Sequence, residues 1–278
     1  MVDKIWFITG VSSGLGKALA ETALAAGDIV TGTLRKPEEA AVFDRLAPGR
    51  SHGLVLDVTH ETAIAPAVAR VEREIGPIDV LVNNAGYGHE GMVEESSLDD
   101  FRRQFEVNFF GTVATTKAIL PFMRARRAGR IINITSMGGF ITMPGISAYH
   151  ASKFALEGFS ESLGKEVRHL GIHVTAVAPG SFRTDWAGRS MVRAPRSIPD
   201  YDAVMDPVRE RRQKVSGHQL GDPQKAAGAI LKLTAVENPP AHLLLGSDAW
   251  KLASEKLDAL KAEFEDWKGT TLSTDFPA

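Results

Sequence analysis

The sequence predicts an α/β fold: a single doubly wound parallel sheet of about seven strands, flanked by helices and followed by a C-terminal helical extension. Three observations point to it. Short apolar runs of strand length alternate along the chain with longer segments whose apolar residues recur at helical spacing. The first such run ends in a glycine-rich turn that opens a helix, and later strand ends carry small, amide or hydroxyl side chains where a sheet of this kind binds its ligand. At 278 residues the chain is long enough to bury a substantial core as one large domain. No repeat, low-complexity tract or linker divides it, so residues 1–278 are expected to form one unit.

Composition narrows the function classes. A net charge of −2 gives no basic field, which argues against nucleic acid or an anionic membrane as a partner. The apolar runs fall far short of the roughly 18 residues a membrane span needs. Met1 is followed almost at once by a strand, with no signal peptide. Cysteine is absent, which excludes disulfides, thiolate nucleophiles and Cys-ligated metals and fits a reducing, cytoplasmic setting. The eight histidines show no paired ligand spacing, so no metal is expected.

Taken in order, Ile5 to Ile8 is the first strand, and Thr9, Gly10, Ser12, Ser13, Gly14, Leu15 and Gly16 form the turn behind it. Ala18, Leu19, Ala23 and Leu24 then give a helical stripe closed by Gly27. Glycines permit close approach of backbone N–H groups to a phosphate, and a helix N-terminus favours an anion. Ile29 to Leu34 is the second strand and ends at Arg35. In a dinucleotide fold an acid here holds the adenine ribose 2′-hydroxyl, whereas an arginine accommodates a 2′-phosphate. With Thr33, Leu34 and Arg35 in the slot, a cation is present and a carboxylate is missing, which favours NADP; the plain alternative is a solvated loop arginine.

The third strand, residues 53–56, ends at Asp57 and Val58, and Ile64, Val68, Val71 and Ile75 mark the next helix. Val80 to Val82 leads into Asn83, Asn84, Ala85 and Gly86, which alone would read as a turn. Ser97 is placed to cap a long helix to about Arg127, with Asp99 and Asp100 in its first turn and basic residues in its last. Asn108 sits inside this helix among Val107, Phe109 and Phe110. Burying its amide requires partners, so it serves either a structural network or chemistry. Residues 130–135 form the fifth strand and deliver Ser136. Strand six, residues 174–178, ends at Pro179 and Gly180 and opens a long irregular stretch over residues 181–221; a segment of that length usually covers a site or is disordered. Asp222 and Pro223 cap a helix to Thr234, residues 242–245 form a last strand, and residues 248–267 form an amphipathic helix.

Tyr149 and Lys153 stand one helical turn apart at the start of the helix after strand five. In a half-buried cleft a cation about 5 Å from a phenol would stabilise the phenolate by roughly 3 kcal/mol, or about two pK units. That spacing would prepare Tyr149 for proton transfer at neutral pH.

The ordered set Thr9, Gly10, Gly14, Gly16, Asp57, Asn83 to Gly86, Asn108, Ser136, Tyr149, Lys153, Pro179 and Gly180 resembles the short-chain dehydrogenase/reductase family, from Lys4 to about Gly246. The resemblance implies a Rossmann-type domain in which Asn108, Ser136, Tyr149 and Lys153 form a catalytic tetrad. It places the glycine-rich turn, Asp57 with Val58, Asn83 to Gly86, Tyr149, Lys153, Pro179, Gly180 and Thr184 around a nicotinamide cofactor, NADP (NADPH) given Arg35. Asn108 would hold a water relaying protons to Lys153, and Thr184 would sit near the nicotinamide amide. The last strand runs into a further helix and not the short ending of the family's tetrameric members, which argues against that tetramer and leaves room for a homodimer without fixing the oligomeric state.

The function expected on these grounds is hydride transfer between NADPH and a medium-sized apolar ketone, aldehyde or secondary alcohol, with residues 181–217 covering the substrate and residues 247–278 forming a helix and tail. Phe140, Met143, Phe182, Trp186 and Met191 would line an apolar mouth or simply pack the covering segment. The competing class is a non-catalytic NADPH-binding regulator on the same fold. A nucleotide-sugar epimerase would be expected to carry a different glycine spacing and a larger C-terminal domain.

Overall fold

The computed structural model describes residues 3–188 and 190–276; Met1 and Val2, ahead of the first strand, and Pro277 and Ala278 of the tail lie outside them. The chain runs β1 (Ile5–Ile8), α1 (Gly14–Ala25), β2 (Ile29–Leu34), α2 (Pro37–Asp44), β3 (Ser51–Val55), α3 (Glu61–Glu74), β4 (Val80–Asn83), β5 (Gly88–Glu90) and α4 (Leu98–Phe105). After a π-helical turn (Glu106–Phe110) it continues through α5 (Gly111–Arg126), β6 (Gly129–Ile134), α6 (Ser147–Val167), β7 (Ile172–Pro179), β8 (Met191–Arg193), α7 (Asp202–Val215), α8 (Pro223–Leu233), β9 (His242–Leu245), α9 (Ser247–Asp266) and α10 (Lys268–Leu272).

Seven strands make one sheet in the order β3-β2-β1-β4-β6-β7-β9, with every neighbouring pair parallel. Both faces of the sheet are covered, so its strands are apolar on both sides. Alternation along each strand divides the core in two. Trp6, Ile8, Val80, Val82, Ile132 and Ile134 join Leu19, Ala23, Phe43 and Ile230 on one face. Phe7, Leu81, Ile131 and Val174 meet Ile64, Val68, Ile119 and Leu163 on the other. The strand order reverses between β1 and β4, which opens a crevice at their carboxyl ends.

The region over residues 181–221 departs from the irregular stretch expected. It contains a 14-residue helix, α7, and a strand, β8, that pairs in parallel with β5 in a small second sheet. Pro207 inside α7, together with the helix's high charge, hides it from an apolar-periodicity reading. Helix α2 is also additional, its start marked by Pro37 at the first turn. Strand pairing at the base of the segment joins Phe182 to Gly221, where the Arg183 side chain donates to the Gln219 carbonyl at 2.7 Å. Helix α9 leaves the body after two turns: Ala249 and Ala253 are buried, while Trp250, Leu257, Phe264 and Trp267 are exposed. Of the apolar stripe expected along it, Leu252 and Leu260 are half-buried, while Leu257, Phe264 and Trp267 do not lie on the chain's own body.

Candidate active site

The crevice is built first by its turns. Gly10 takes a left-handed backbone (φ 72°) and has Ala85 against it, so a side chain there would be both strained and crowded. The Thr9 hydroxyl accepts the Asn84 and Ala85 N–H groups at 2.9 and 3.0 Å, and the Asn84 amide donates to the Thr9 and Gly10 carbonyls at 3.0 and 2.9 Å. The two turns after β1 and β4 are thereby locked together. The Gly10 N–H is held by the Thr33 hydroxyl at 3.0 Å.

At the head of α1, Ser13 is extended and its side chain makes no capping bond. The first-turn N–H groups of Gly14, Leu15 and Gly16 are therefore left for an external anion, with half-buried Ser13 and exposed Ser12 beside them. Thr184 lies opposite: its Cβ would be 3.6 Å from a side chain at Gly14. Arg35 is exposed at the end of β2, within Coulombic reach of Asp57. Burial raises the Asp57 pKa, but hydrogen bonds from the Thr59 N–H and hydroxyl, with the charges of His60 and Arg35, outweigh it and hold the carboxyl below its usual range. Val58 is buried against Gly111. This turn, cation and carboxylate fit an elongated diphosphate-bearing cofactor.

Asn83 departs from the expected arrangement. Its side chain turns inward, donating to the Thr116 hydroxyl at 3.1 Å and the Asn133 carbonyl oxygen at 2.8 Å, while Asn133 donates to Ser160. It ties β4 to β6, α5 and α6, and only its backbone borders the crevice.

Beyond the turns the structure gathers Asn108, Ser136, Tyr149 and Lys153. The long helix expected over residues 97–127 begins with a complete capping box between Ser97 and Asp100, but its middle is π-helical, and Asn108 sits there. A π turn widens the helix and re-aims side chains. The Asn108 amide donates to the Tyr87 carbonyl at 3.0 Å and the Ser152 hydroxyl at 3.2 Å, and accepts the Tyr87 N–H at 3.0 Å. Its partners are thus the backbone after Gly86 and α6, not Lys153. Ser136 accepts the Gly138 N–H at 3.0 Å, and its hydroxyl is near enough to Tyr149 to favour the phenolate.

Tyr149 is buried, its ring 5.1 Å from that of Trp186. Lys153 Nζ lies 5.8 Å from the centre of the Tyr149 ring and donates to the Ile134 carbonyl at 2.8 Å. The expected lowering of the phenol by this ammonium is not what the site shows. Burial pushes Tyr149 up to about 12, with the Ser136 hydroxyl opposing, and pushes Lys153 down to about 8, with the charge of Glu157 opposing. Enclosure costs the charged form of each group more than their separation returns. A half-solvated cleft would impose much less of that cost.

Three further residues matter and were not singled out in the sequence. His150 Nδ1 donates to the Gly138 carbonyl at 2.8 Å while Nε2 accepts the Met143 N–H at 2.9 Å, so a neutral imidazole fixes the loop carrying Ser136. Burial holds its pKa below the usual range. Glu157, four residues beyond Lys153 on the buried face of α6, accepts from His242 at 2.8 Å. Asp248 accepts the Ser181 N–H at 2.8 Å and leaves no room for a side chain at Gly180. It clamps the chain where Pro179 and Gly180 leave β7. The i,i+4 spacing could have flagged Glu157; nothing local marks Asp248, whose partner is 67 residues away.

Of the expected apolar lining, Trp186 stands over Tyr149, and Met191 is buried beside Gly88. Phe140 packs on His242, and Phe182 on Gly221 and Gly246. Met143 is half-buried, its backbone bound to His150. No helix among the described residues is long and apolar enough to cross a membrane.

Residues 4–192 match the family model for short chain dehydrogenase. The chain is 41% identical over 274 residues to the oxidoreductase BOA17 of Botryotinia fuckeliana, covering 98% of this chain and 100% of that one. It is 32% identical over 246 residues to an NADPH-dependent 3-dehydrocapnine reductase of Ornithobacterium rhinotracheale, covering 86% of each. A crystal structure of a short-chain dehydrogenase from Streptomyces avermitilis superimposes with a TM-score of 0.92 at 41% identity, over 99% of this chain and 100% of that one. With its switch-point crevice and the order of its motifs, the chain belongs to the short-chain dehydrogenase/reductase family and is an NAD(P)-dependent oxidoreductase.

Proposed function

We propose that the protein transfers a hydride between NADP and a medium-sized apolar ketone, aldehyde or secondary alcohol, with Tyr149 as general acid in reduction and general base in oxidation. The observation that carries this reading is Tyr149 itself, beside Ser136, covered by Trp186 and one turn from Lys153. When bound, the nicotinamide supplies the hydride. Ser136 and Tyr149 present converging hydroxyls to the substrate oxygen, where negative charge develops. In reduction Tyr149 gives its proton to that oxygen, and the Lys153 ammonium offsets the charge left on the phenolate. The four residues act as a tetrad in which Asn108 positions Tyr87 and, through Ser152, the first turn of α6.

The uncapped head of α1, with Thr9 to Gly16 behind it, would hold the diphosphate. Arg35 would meet the 2′-phosphate, Asp57 and Val58 the adenine side, and Asn83 to Gly86, Pro179, Gly180 and Thr184 the nicotinamide half. The preference for NADP is supported by Arg35 standing where no carboxylate does, and the relative from Ornithobacterium rhinotracheale is named as NADPH-dependent. Residues 181–217, with Trp186 and Met191 facing inward, would cover an apolar substrate and exclude water.

The test is NADPH oxidation against a panel of ketones by wild type and Tyr149→Phe. The variant should bind NADPH normally and lose about 10² to 10⁴ in turnover. Retention of more than about a tenth of wild-type turnover would sink the role of Tyr149. NADPH binding with no oxidation by wild type on any ketone would favour the regulatory reading.

A further inference from the structure

Lys153 begins a row of charged side chains that climbs α6 from the buried site to the surface. Glu157, Glu161 and Lys165 follow it at intervals of four, so they project from one side of the helix. Lys153 and Glu157 are buried, whereas Glu161 is exposed and paired with Lys165. Against this row stands His242, from the edge strand β9. It lies beyond residues 4–192, the part of the chain that matches the family model. Its Nδ1 donates to Glu157 Oε2 at 2.8 Å, its Nε2 stands 3.7 Å from Glu161 Oε2, and its ring meets that of Phe140 edge to face with centres 5.9 Å apart. The imidazole is thereby held on three sides.

The burial of Glu157 gives this contact its weight. Its side chain is 9% exposed, and its second oxygen, Oε1, is buried with no hydrogen-bond partner among the described residues. The His242 N–H is therefore the one hydrogen-bond donor to this carboxylate among those residues. A buried anion stripped of its last donor is costly enough to be neutralised or displaced. Lys153 stands one turn back along the helix. Both residues pack on Gly139, where a side chain would come within 2.8 Å of Glu157 Cγ and 3.0 Å of the Lys153 carbonyl oxygen. Burial works against the Lys153 ammonium, and the charge of Glu157 works for it. Among the described residues the titratable groups facing Lys153 are Glu157 and the Tyr149 phenol, and those facing His242 are Glu157 and Glu161. The strand and loop packed against Lys153 bring only the Ile134 carbonyl and Gly139, which carry no charge.

We propose that His242 is a positioning residue for the reaction: by donating to Glu157 it keeps a carboxylate charged and in place behind Lys153, and that carboxylate keeps Lys153 an ammonium beside Tyr149. The assignment rests on the reading of Lys153 as the charge that offsets the phenolate, and it extends that reading to a strand outside the tetrad.

Two measurements on the full chain test it. The first needs no turnover: the ionisation of Lys153 is followed by NMR of protein isotopically labelled at lysine Cε, with the resonance assigned by its loss in Lys153→Met. In wild type it should titrate at about pH 8. Glu157→Gln should lower that midpoint by on the order of one unit. His242→Leu should lower it as far, although Glu157 is still in the chain. His242→Asn puts an amide N–H where Nδ1 stood and should keep the wild-type midpoint. The double variant His242→Leu/Glu157→Gln should go no further than Glu157→Gln, because members of one path do not add. An unchanged or raised midpoint in His242→Leu, a His242→Asn midpoint as low as that of His242→Leu, or additive shifts in the double variant would each overturn the proposal. The His242 side chain is about a third exposed on its edge strand; should His242→Leu fail to fold, His242→Ala removes the donor with less bulk and is read in the same way. The second measurement is the pH profile of kcat/KM for ketone reduction, whose decline should move with the resonance in each variant. A resonance that moves while the profile stays put would overturn the role in the reaction and leave the pair a structural one. If wild type reduces no ketone, the proposed reaction fails, and the resonance alone still decides whether His242 governs the charge on Lys153.

Discussion

Tyr149, Lys153 and Glu157 follow one another at intervals of four along the buried face of α6, and the state of the middle residue sets the pH behaviour. Burial lowers Lys153 to about 8 and the Glu157 charge opposes that fall. Tyr149, raised to about 12, keeps its proton throughout this range. If the ammonium is needed to offset the phenolate, reductive kcat/KM should be level below about pH 8 and decline above it as Lys153 loses its proton. Glu157→Gln removes the opposing charge, so the decline should begin at lower pH. A profile level to about pH 9.5 in both proteins would show that Lys153 stays charged in the cofactor complex.

Arg35 admits a separate test. Arg35→Ala should raise the NADPH dissociation constant by roughly 10- to 150-fold and leave NADH nearly unchanged, measured by fluorescence titration. Equal weakening of both would make it a bystander. The spacing of Tyr149 and Lys153 was a weak signal by itself, and the ordered motif set that resembles the family made them, with Ser136 and Asn108, a candidate site. Neither could show that Asn83 turns inward or that Asn108 binds Tyr87, because side-chain direction depends on strand register and on a π turn that leaves no mark in an apolar pattern.

Among the elements, those of the main sheet were legible because each strand is a short apolar run and some helix termini carry their own signal, such as the Ser97–Asp100 capping box or Asp222 at the head of α8. The segment over the site was not. Helix α7 is held by ion pairs from Arg196 to Asp202 and Asp206 and from Arg209 and Arg212 to Glu90, and not by a continuous apolar face. Strand β8 acquires its partner from a loop about 100 residues earlier in the chain. The clamp at the exit of β7 is equally non-local. Removing the Asp248 carboxylate frees the Ser181 N–H and forfeits a charge-assisted bond of about 1.5–3 kcal/mol. Asp248→Ala should therefore speed amide exchange at residues 180–184 and weaken NADPH binding. Unchanged exchange there would show that the carboxylate is not what holds the turn.

For the whole molecule, the open question is what faces the outer half of α9. Trp250, Leu257 and Phe264 are seven residues apart, and Ala253, Leu260 and Trp267 follow three residues behind each. That is the spacing of a coiled-coil seam, in which apolar residues recur every 3.5 residues and insert between those of a facing helix. Ala253 at the root is buried on the body, whereas Trp250, Leu257, Phe264 and Trp267 are 57–66% exposed. A row of four large apolar side chains left in water is an association hazard, and a two-fold axis along the seam would let two copies cover each other. We expect a homodimer built on α9. Because Asp248, Ala249 and Ala253 secure the root, a chain ending at Lys256 should keep its NADPH affinity and the clamp on Ser181 while losing the outer seam. Sedimentation of both proteins at the same micromolar concentrations should then give a dimer for the full chain and a monomer for the shortened one. A full chain that sediments as a monomer, or a shortened one that remains dimeric, would place the contact elsewhere and leave the exposed seam without this role.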